Sequence, residues 1–156
     1  MATALTLEQY LTHQGAAYDV MPHAPTMSSM RTAEACHVSA DCLAKAVVLK
    51  DGGSYLLAVL PASHHLELDT LKSRLDRQFS LASEDEIEEL FPDCQRGAIP
   101  PFGAAYGLQT IVDESITEMP DIYFEGGDHA TLVHMRGRAF ERLLANAPHG
   151  HFSSHD

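Results

Sequence analysis

Three segments of this 156-residue chain place polar or glycine-rich residues beside apolar strands. They are AKAVVLK at residues 44–50, RGAIPPFG at 96–103 and YFEGGDHATLVHM at 123–135. A lysine ammonium group, as in the first segment, can bind an anion. A loop stiffened by prolines can direct its backbone N–H groups at a negatively charged oxygen. A histidine after a glycine turn can exchange hydrogen bonds near neutral pH. These segments therefore hold the candidate site residues.

Lys45 stands in the first segment and has two interpretations. As a structural residue, it would lay its methylene groups along apolar surface and extend its charge into water. As a site residue, it would keep the charge in a pocket, where an ammonium group is costly to desolvate unless it meets a phosphate or a polarised carbonyl. The residue pattern alone leaves both interpretations open.

The segment RGAIPPFG is predicted to be a loop, because neither Pro100 nor Pro101 has a backbone N–H for a strand ladder. Gly97 and Gly103 can take backbone angles that other residues avoid. Most loops of this composition are structural turns. Adjacent prolines can equally hold a loop rigid enough to present backbone groups to a ligand.

The ten histidines raise the alternative of a metal hydrolase. His64 and His65 are adjacent, and His149, His151 and His155 lie close together near residue 156. Adjacent histidines on an extended chain point apart, and the second group has no carboxylate or cysteine at a catalytic zinc spacing. Adventitious nickel or zinc binding would suit these histidines, but we predict no catalytic metal and no cofactor.

The composition, with 45% hydrophobic and 21% charged residues, is that of a globular protein. We expect residues 1–146 to form a single domain and residues 147–156 to be a frayed, histidine-containing tail. Cys36, Cys42 and Cys94 form no C-x-x-C pair, which favours a reducing compartment. Because no signal peptide or membrane-spanning stretch is apparent either, the expected location is the cytoplasm.

A net charge of −12 repels polyanions at long range and argues against nucleic-acid binding. The cations are nevertheless grouped along the sequence. The groups are Lys45 and Lys50; Lys72, Arg74 and Arg77; and Arg136, Arg138 and Arg142. A local basic rim on an acidic body is therefore compatible with the sequence.

Apolar periodicity predicts short helices and strands in irregular alternation. Capping boxes at residues 6–9 (TLEQ) and 83–86 (SEDE) predict two helix starts, and 51–53 (DGG) predicts a hairpin between strands 44–50 and 54–60. Further strands are expected at residues 18–21, 110–112, 122–124 and 131–135, and further helices near 30–36, 68–78 and 140–144. This order predicts an α+β domain with a mixed, mostly antiparallel central sheet flanked by short helices.

Taken in order, the three segments resemble the YbaK and prolyl-tRNA-synthetase-associated editing domain family, over roughly Gln14 to Leu144. The most specific match is GAIPPFG, in which Gly97 and Pro101 fit the family's glycine-x-x-x-proline loop. The second match is Lys45, the strand lysine of the pattern A-K-x-V-V-L. Three further segments are similar to the family: LPAS at 60–63, LASEDEIEELF at 81–91 and VDESI at 112–116.

The resemblance implies the YbaK-like fold and a free-standing hydrolase of mischarged aminoacyl-tRNA. The ester that it cleaves joins a small amino acid to the 3′-terminal adenosine, in many family members on a tRNA for proline. Such an ester is already reactive, so an enzyme needs only to position a water molecule and stabilise one oxyanion. The sequence agrees, since it has no G-x-S-x-G nucleophile motif.

The resemblance also implies roles for individual residues. Lys45 would hold the acceptor end of the substrate, while Gly97 and Pro101 would contact substrate and position water. Pro100, Phe102 and Gly103 are included as substrate-binding neighbours in the same loop.

His129 is the third catalytic candidate, next to rivals Asp128 and His134, because family members differ at this point. The segment 21–29 resembles one that borders the amino-acid pocket. Its polar residues His23, Thr26 and Ser28 are therefore predicted to bind substrate, although a plain connection is the alternative for each.

The implied partners are the acceptor end of aminoacyl-tRNA and a synthetase or elongation factor that delivers it, with no DNA and no membrane. A non-catalytic relative that binds tRNA, a synthetase or an aminoacyl ligand is the alternative function. The sequence does not identify the amino acid: alanine, serine and cysteine all remain open, and a hydrophobic pocket would discriminate weakly among them.

Overall fold

The protein is described here by a computed structural model of residues 3–26 and 28–156, built around a five-stranded mixed sheet. The helices are α1 (Leu5–His13), α2 (Ser29–Cys36), α3 (Leu68–Leu75), α4 (Glu84–Leu90), α5 (Glu114–Thr117) and α6 (Gly137–Leu143), with a 3₁₀ turn at Gly103–Tyr106. The strands are β1 (Asp19–Pro22), β2 (Ala44–Asp51), β3 (Ser54–Pro61), β4 (His64–Leu66), β5 (Ser80–Leu81), β6 (Gln109–Asp113), β7 (Asp121–Glu125), β8 (Thr131–Arg136), β9 (His149–Gly150) and β10 (Ser153–His155). None of the helices in these described ranges is long and apolar enough to cross a membrane.

The central sheet has the strand order β5-β2-β3-β6-β9. Strand β2 pairs antiparallel with both β5 and β3, whereas β6 pairs parallel with β3 and β9. A second sheet, β1-β8-β7, and the pair β10-β4 are antiparallel throughout. The predicted α+β fold with a mixed central sheet is confirmed, as is the hairpin across residues 51–53, although only two of the four pairings in the central sheet are antiparallel.

Strands β2 and β3 carry apolar residues on both faces, as their nearly continuous apolar sequence predicts. Val48 and Leu57 pack into a core that includes Phe102. On the opposite face, Leu49 and Leu56 pack into a second core. Because successive side chains of a strand point to opposite faces, the hairpin divides the interior into two cores.

The two sheets meet at Leu43 and Tyr123, which form an isolated parallel bridge. The Tyr123 N–H donates to the Cys42 carbonyl over 2.9 Å. The start of β2 and the start of β7 therefore run side by side. This contact fixes the position of the second sheet, and of the turn after β7, relative to the central sheet.

One predicted capping box is confirmed and the other is wrong. At α4, Ser83 Oγ accepts from the Glu86 N–H and the Glu86 carboxylate accepts from the Ser83 N–H. At α1, however, the helix begins at Leu5, so Thr6 already lies inside its first turn. The Thr6 N–H instead donates to Asp93 Oδ2 over 2.8 Å, so a carboxylate 87 residues away caps this helix.

Residues 147–156 form strands β9 and β10, whereas their polar sequence predicts a frayed tail. Phe152 is 1% exposed and packs in the second core. Its N–H donates to Asp113 Oδ2 over 2.9 Å, and its carbonyl accepts from the Glu67 N–H over 2.7 Å. This buried ring, its two backbone hydrogen bonds and the pairing of β9 with β6 and of β10 with β4 order a segment that is otherwise polar.

Glu86 gives a prediction for acid stability. Hydrogen bonds from the Ser83 N–H, the Tyr55 hydroxyl and the Lys50 ammonium lower its pKa from 4.5 to about 2. A carboxylate with a depressed folded-state pKa stabilises the fold above its unfolded pKa and loses that contribution as the pH falls through the folded value. We therefore expect Glu86→Gln to melt below wild type at neutral pH, and the difference to close between about pH 4.5 and 2. Melting temperatures measured across this range test it, and a constant difference would contradict it.

Candidate active site

The predicted loop and the predicted histidine meet in the structure. His129 Nε2 donates to the Arg96 carbonyl. The neighbouring Gly97 has a φ of +78°, and a Cβ built there would lie 3.3 Å from His129 Cε1. Glycine therefore suits this position both for its backbone conformation and for the space beside the imidazole ring.

The loop is anchored at one end and exposed at the other. The Gln95 N–H donates to the Gly127 carbonyl over 2.7 Å, which ties the loop to the turn before His129. Ala98, Pro100 and Pro101 are buried, whereas residues 95–97 are exposed. The prolines thus hold the loop in the interior while its exposed end lies beside the imidazole.

The remaining two loop residues were predicted to bind substrate, but the structure gives them a supporting position. Phe102 is fully buried and packs against the rings of Tyr10, Phe124 and Phe140 at centroid distances of 5.9, 5.2 and 5.6 Å. Gly103 is also buried: its N–H donates to Thr110 Oγ1, and a Cβ built on Gly103 would lie 2.4 Å from that oxygen. Both residues hold the loop from beneath.

The segment 21–29 runs along the same turn, as the sequence predicts, although Met27 lies outside the described residues. The His23 N–H donates to the Ala130 carbonyl over 2.9 Å, and the Thr26 N–H donates to the His129 carbonyl over 3.2 Å. Ser28 is the N-cap of α2, where its Oγ accepts from the Arg31 N–H. Of the three predicted residues, His23 and Thr26 therefore lie beside His129, and Ser28 caps a helix.

Glu125 is a site residue that the sequence did not single out. It is 5% exposed, at the end of β7, and its Oε1 accepts from Thr32 Oγ1 over 2.5 Å. Its Oε2 lies 3.8 Å from His23 Nε2. Burial raises the pKa of Glu125, against the opposite effects of the Thr32 hydroxyl and of His23. The sequence signal that could have identified Glu125 is its place at the end of an apolar strand, directly before Gly126 and Gly127.

The two rivals of His129 have other partners. Asp128 is buried and accepts from the Ala130 N–H and from Thr131 Oγ1, so it shapes the turn. His134 lies between Asp19 and Asp121, with ring nitrogens 2.9 Å from each carboxylate. Burial opposes the charged form of His134, but these two hydrogen bonds outweigh it and raise the pKa. Among the three candidates, His129 is the one whose side chain contacts the loop.

Lys45 in β2 and Glu125 in β7 each follow the Leu43–Tyr123 bridge by two residues. The Lys45 ammonium group, however, donates to the His64 carbonyl over 2.6 Å, next to β4. Burial lowers the pKa of Lys45, and the nearby Asp156 carboxylate has the opposite effect. In the described part of the chain, the bonds that join the loop to His129 do not involve Lys45.

Within residues 3–26 and 28–156, the structure brings together no group of three or more His, Cys, Asp or Glu side chains that could hold a metal ion. Three of the histidines considered above pair with carboxylates. These pairs are His65 with Asp156 at 2.8 Å, His151 with Glu114 at 2.9 Å and His155 with Asp41 at 3.1 Å.

Comparison with known proteins gives a consistent result. The family model described as "Aminoacyl-tRNA editing domain" matches residues 23–143. The Multifunctional Ser/Thr-tRNA deacylase ProXp-y of Escherichia coli K12 is 32% identical over 123 residues, which are 75% of this chain and 73% of that protein.

Solved structures have the same fold. The hypothetical protein APE2540 superposes with a TM-score of 0.85 at 20% identity, over 96% of this chain and 99% of that one. A candidate trans-editing enzyme for prolyl-tRNA synthetase gives a TM-score of 0.83 at 20% identity, over 97% and 96% of the two chains.

Gly97 provides a test of the loop. We expect Gly97→Val to abolish any hydrolytic activity, because the new side chain would press on the His129 ring and force the loop to move. Its cost in stability should be about 1–2 kcal/mol, the strain of a left-handed backbone. Gly107→Val is the matched control, since Gly107 has a φ of +74° with nothing within 4 Å of a built Cβ. Similar melting temperatures with activity in the control alone support the site; a fully active Gly97→Val would show that the loop is only a connection.

Proposed function

Because the chain belongs to the aminoacyl-tRNA editing domain family, we propose that it is a trans-acting deacylase that hydrolyses the ester between a mischarged amino acid and the 3′ end of tRNA. The observation that carries the proposal is the contact of His129 with the positive-φ Gly97 in the G-x-x-x-P loop. Residues 95–97 of this loop are exposed and lie beside a polar, partly buried cluster.

The loop backbone supplies the groups for oxyanion stabilisation. Among the described residues, the N–H groups of Arg96 and Gly97 donate no hydrogen bond within the protein, and both residues are exposed. An N–H group held in place is suited to the negative charge that develops on the ester carbonyl oxygen. Water is the nucleophile in this proposal, assisted by the substrate's own hydroxyl or amino group. His129 holds the loop in position through the Arg96 carbonyl.

Lys45 is proposed to hold the acceptor end. An ammonium group has three N–H donors, and the His64 carbonyl takes one of them. The remaining donors can meet a phosphate or a carbonyl of the terminal adenosine. Half-burial strengthens such a contact, because fewer water molecules compete for the charge.

Serine and threonine are the first amino acids to test, because the related Escherichia coli protein is named a Ser/Thr-tRNA deacylase. A panel of seryl-, threonyl-, alanyl- and cysteinyl-tRNAs, incubated with the pure protein, tests the function itself. Release of a free amino acid, unchanged by a chelator, supports the proposed deacylase. If the protein binds these tRNAs but releases no amino acid from any of them, it is a non-catalytic module. If a chelator stops the release of amino acid, it is a metal hydrolase.

Delivery of the substrate by a synthetase or elongation factor in the cytoplasm is part of the proposal, since few cations are available to hold tRNA. Five of the ten cations form ion pairs with carboxylates of this chain. They are Lys50, Lys72, Arg77, Arg96 and Arg136. The net charge of −12 further opposes the approach of a polyanion.

We therefore expect weak binding of isolated tRNA, at micromolar or higher dissociation constants, with a steep loss of affinity between about 50 and 200 mM salt. Fluorescence anisotropy with labelled tRNA at several salt concentrations measures this. A nanomolar complex that is insensitive to salt would contradict the expectation and remove the need for a delivering partner.

Lys45 provides the sharpest test of the proposed mechanism. If it holds the acceptor end, Lys45→Ala should lose about 2–4 kcal/mol of transition-state stabilisation, which is on the order of a hundredfold or more in rate. Lys45→Arg should not restore the rate, because a planar guanidinium is wider than an ammonium group. Stability should change little or rise, because a costly buried charge is removed.

Lys50→Ala is the control, since Lys50 lies on the same strand and pairs with Glu86 at 3.1 Å. We expect it to lose some stability and keep its deacylation rate. Rates and melting temperatures of the three variants decide the role of Lys45. Turnover near the wild-type rate in Lys45→Ala would mean that Lys45 is a structural residue.

A further inference from the structure

Three buried side-chain atoms have no hydrogen-bond partner within the described residues: His23 Nε2, Glu125 Oε2 and His129 Nδ1. All three belong to the cluster between segment 21–29 and the turn after β7. A buried polar atom without a partner costs free energy, so native proteins keep few of them. Their presence in one place points to a ligand that satisfies them.

The hydrogen bonds made by the other atoms of these side chains make all three available as acceptors. His23 Nδ1 lies 2.8 Å from the Ala24 carbonyl, and His129 Nε2 bonds to the Arg96 carbonyl. A carbonyl oxygen can only accept, so these nitrogens carry a proton, and a ring with that one proton offers a lone pair at its opposite nitrogen. Glu125 Oε1 is occupied by the Thr32 hydroxyl, which leaves Oε2 as the free carboxylate oxygen.

The geometry suits one small donor group placed between them. His23 Nε2 and Glu125 Oε2 are 3.8 Å apart, which is too far for a direct hydrogen bond, and their side chains are 3% and 6% exposed. An atom about 2.8–3.0 Å from both fits this separation. The Thr26 N–H donates to the His129 carbonyl, which ties segment 21–29 to the residue that carries the third acceptor.

We propose that His23, Glu125 and His129 form a subsite that binds the α-ammonium group of the aminoacyl ester. This inference rests on the proposed deacylase function. An ammonium group supplies three N–H donors for three acceptors, and its positive charge compensates the buried carboxylate. A hydroxyl group supplies one donor and no charge, so it would leave two acceptors and the carboxylate charge unsatisfied.

The position of the subsite agrees with the bonding of the substrate. In an aminoacyl ester, one carbon separates the amino nitrogen from the carbonyl carbon, so the two groups must bind next to each other. His129 contacts both places: its ring packs on Gly97, whose N–H is proposed to face the oxyanion, and its Nδ1 belongs to the acceptor cluster. Binding the ammonium group would therefore position the ester carbonyl at the loop.

The test uses three tRNA esters, each with one group changed. Seryl-tRNA has both polar groups, glyceryl-tRNA has a hydroxyl in place of the α-amino group, and alanyl-tRNA has no side-chain hydroxyl. For Glu125→Gln, which keeps size and hydrogen-bonding shape, we expect seryl and alanyl hydrolysis to fall roughly tenfold to hundredfold. Glyceryl hydrolysis should change little, and wild type should prefer seryl over glyceryl esters.

Two further variants make the result specific. Glu86→Gln is the matched control, because Glu86 makes its bonds at α4 and should leave all three rates unchanged. His23→Leu removes one acceptor at similar size and should lower seryl and alanyl rates in the same direction as Glu125→Gln. Melting curves of all variants confirm folding, and His23→Leu decides the matter if Glu125→Gln does not fold.

Each other outcome overturns the subsite. If Glu125→Gln slows seryl and glyceryl hydrolysis but spares alanyl, the cluster binds the side-chain hydroxyl instead. If the variants keep all three rates, the three atoms are satisfied by water and have no part in substrate binding. If wild type hydrolyses none of the esters, the proposed deacylase function itself is wrong. The wild-type protein alone shows this result, so it cannot be confused with failure of the subsite.

Discussion

The site depends on the contact between the His129 imidazole and the backbone at Arg96 and Gly97. It joins two segments that are 33 residues apart in sequence. A side chain at Gly97 would crowd the ring, and the buried prolines anchor the other end of the loop. The same ring presents its second nitrogen to the interior, so one side chain sets the loop position and borders the acceptor cluster.

The parts of the fold that rest on neighbouring residues are predictable from the sequence. The turn at 51–53 brings β2 and β3 together through local geometry, and the Ser83–Glu86 box contains both of its partners within four residues. Features with distant partners are not predictable in this way. The cap of α1 is Asp93, and the order of residues 147–156 depends on a pocket for Phe152 formed by other elements.

The same division holds for the site. Gly97 and His129 belong to motifs that can be recognised in the sequence, and the structure places them in contact. Phe102 and Gly103 belong to the same motif as Gly97 but lie beneath the loop. A sequence motif does not show which of its residues face outward. Glu125 was missed for a related reason: its significance comes from His23 and Thr32, which are over 90 residues away in the chain.

The division of contacts also has a consequence for the order of folding. Hairpin β2–β3 joins sequence neighbours, whereas the acceptor cluster joins residues 23, 125 and 129 across most of the chain. Contacts between distant residues form late, because a long loop must be closed first. Local unfolding begins in regions with exposed backbone and few apolar contacts, and residues 95–97 beside the cluster are exposed. The hairpin is therefore expected to persist as a folded unit in conditions where the acceptor cluster has already opened.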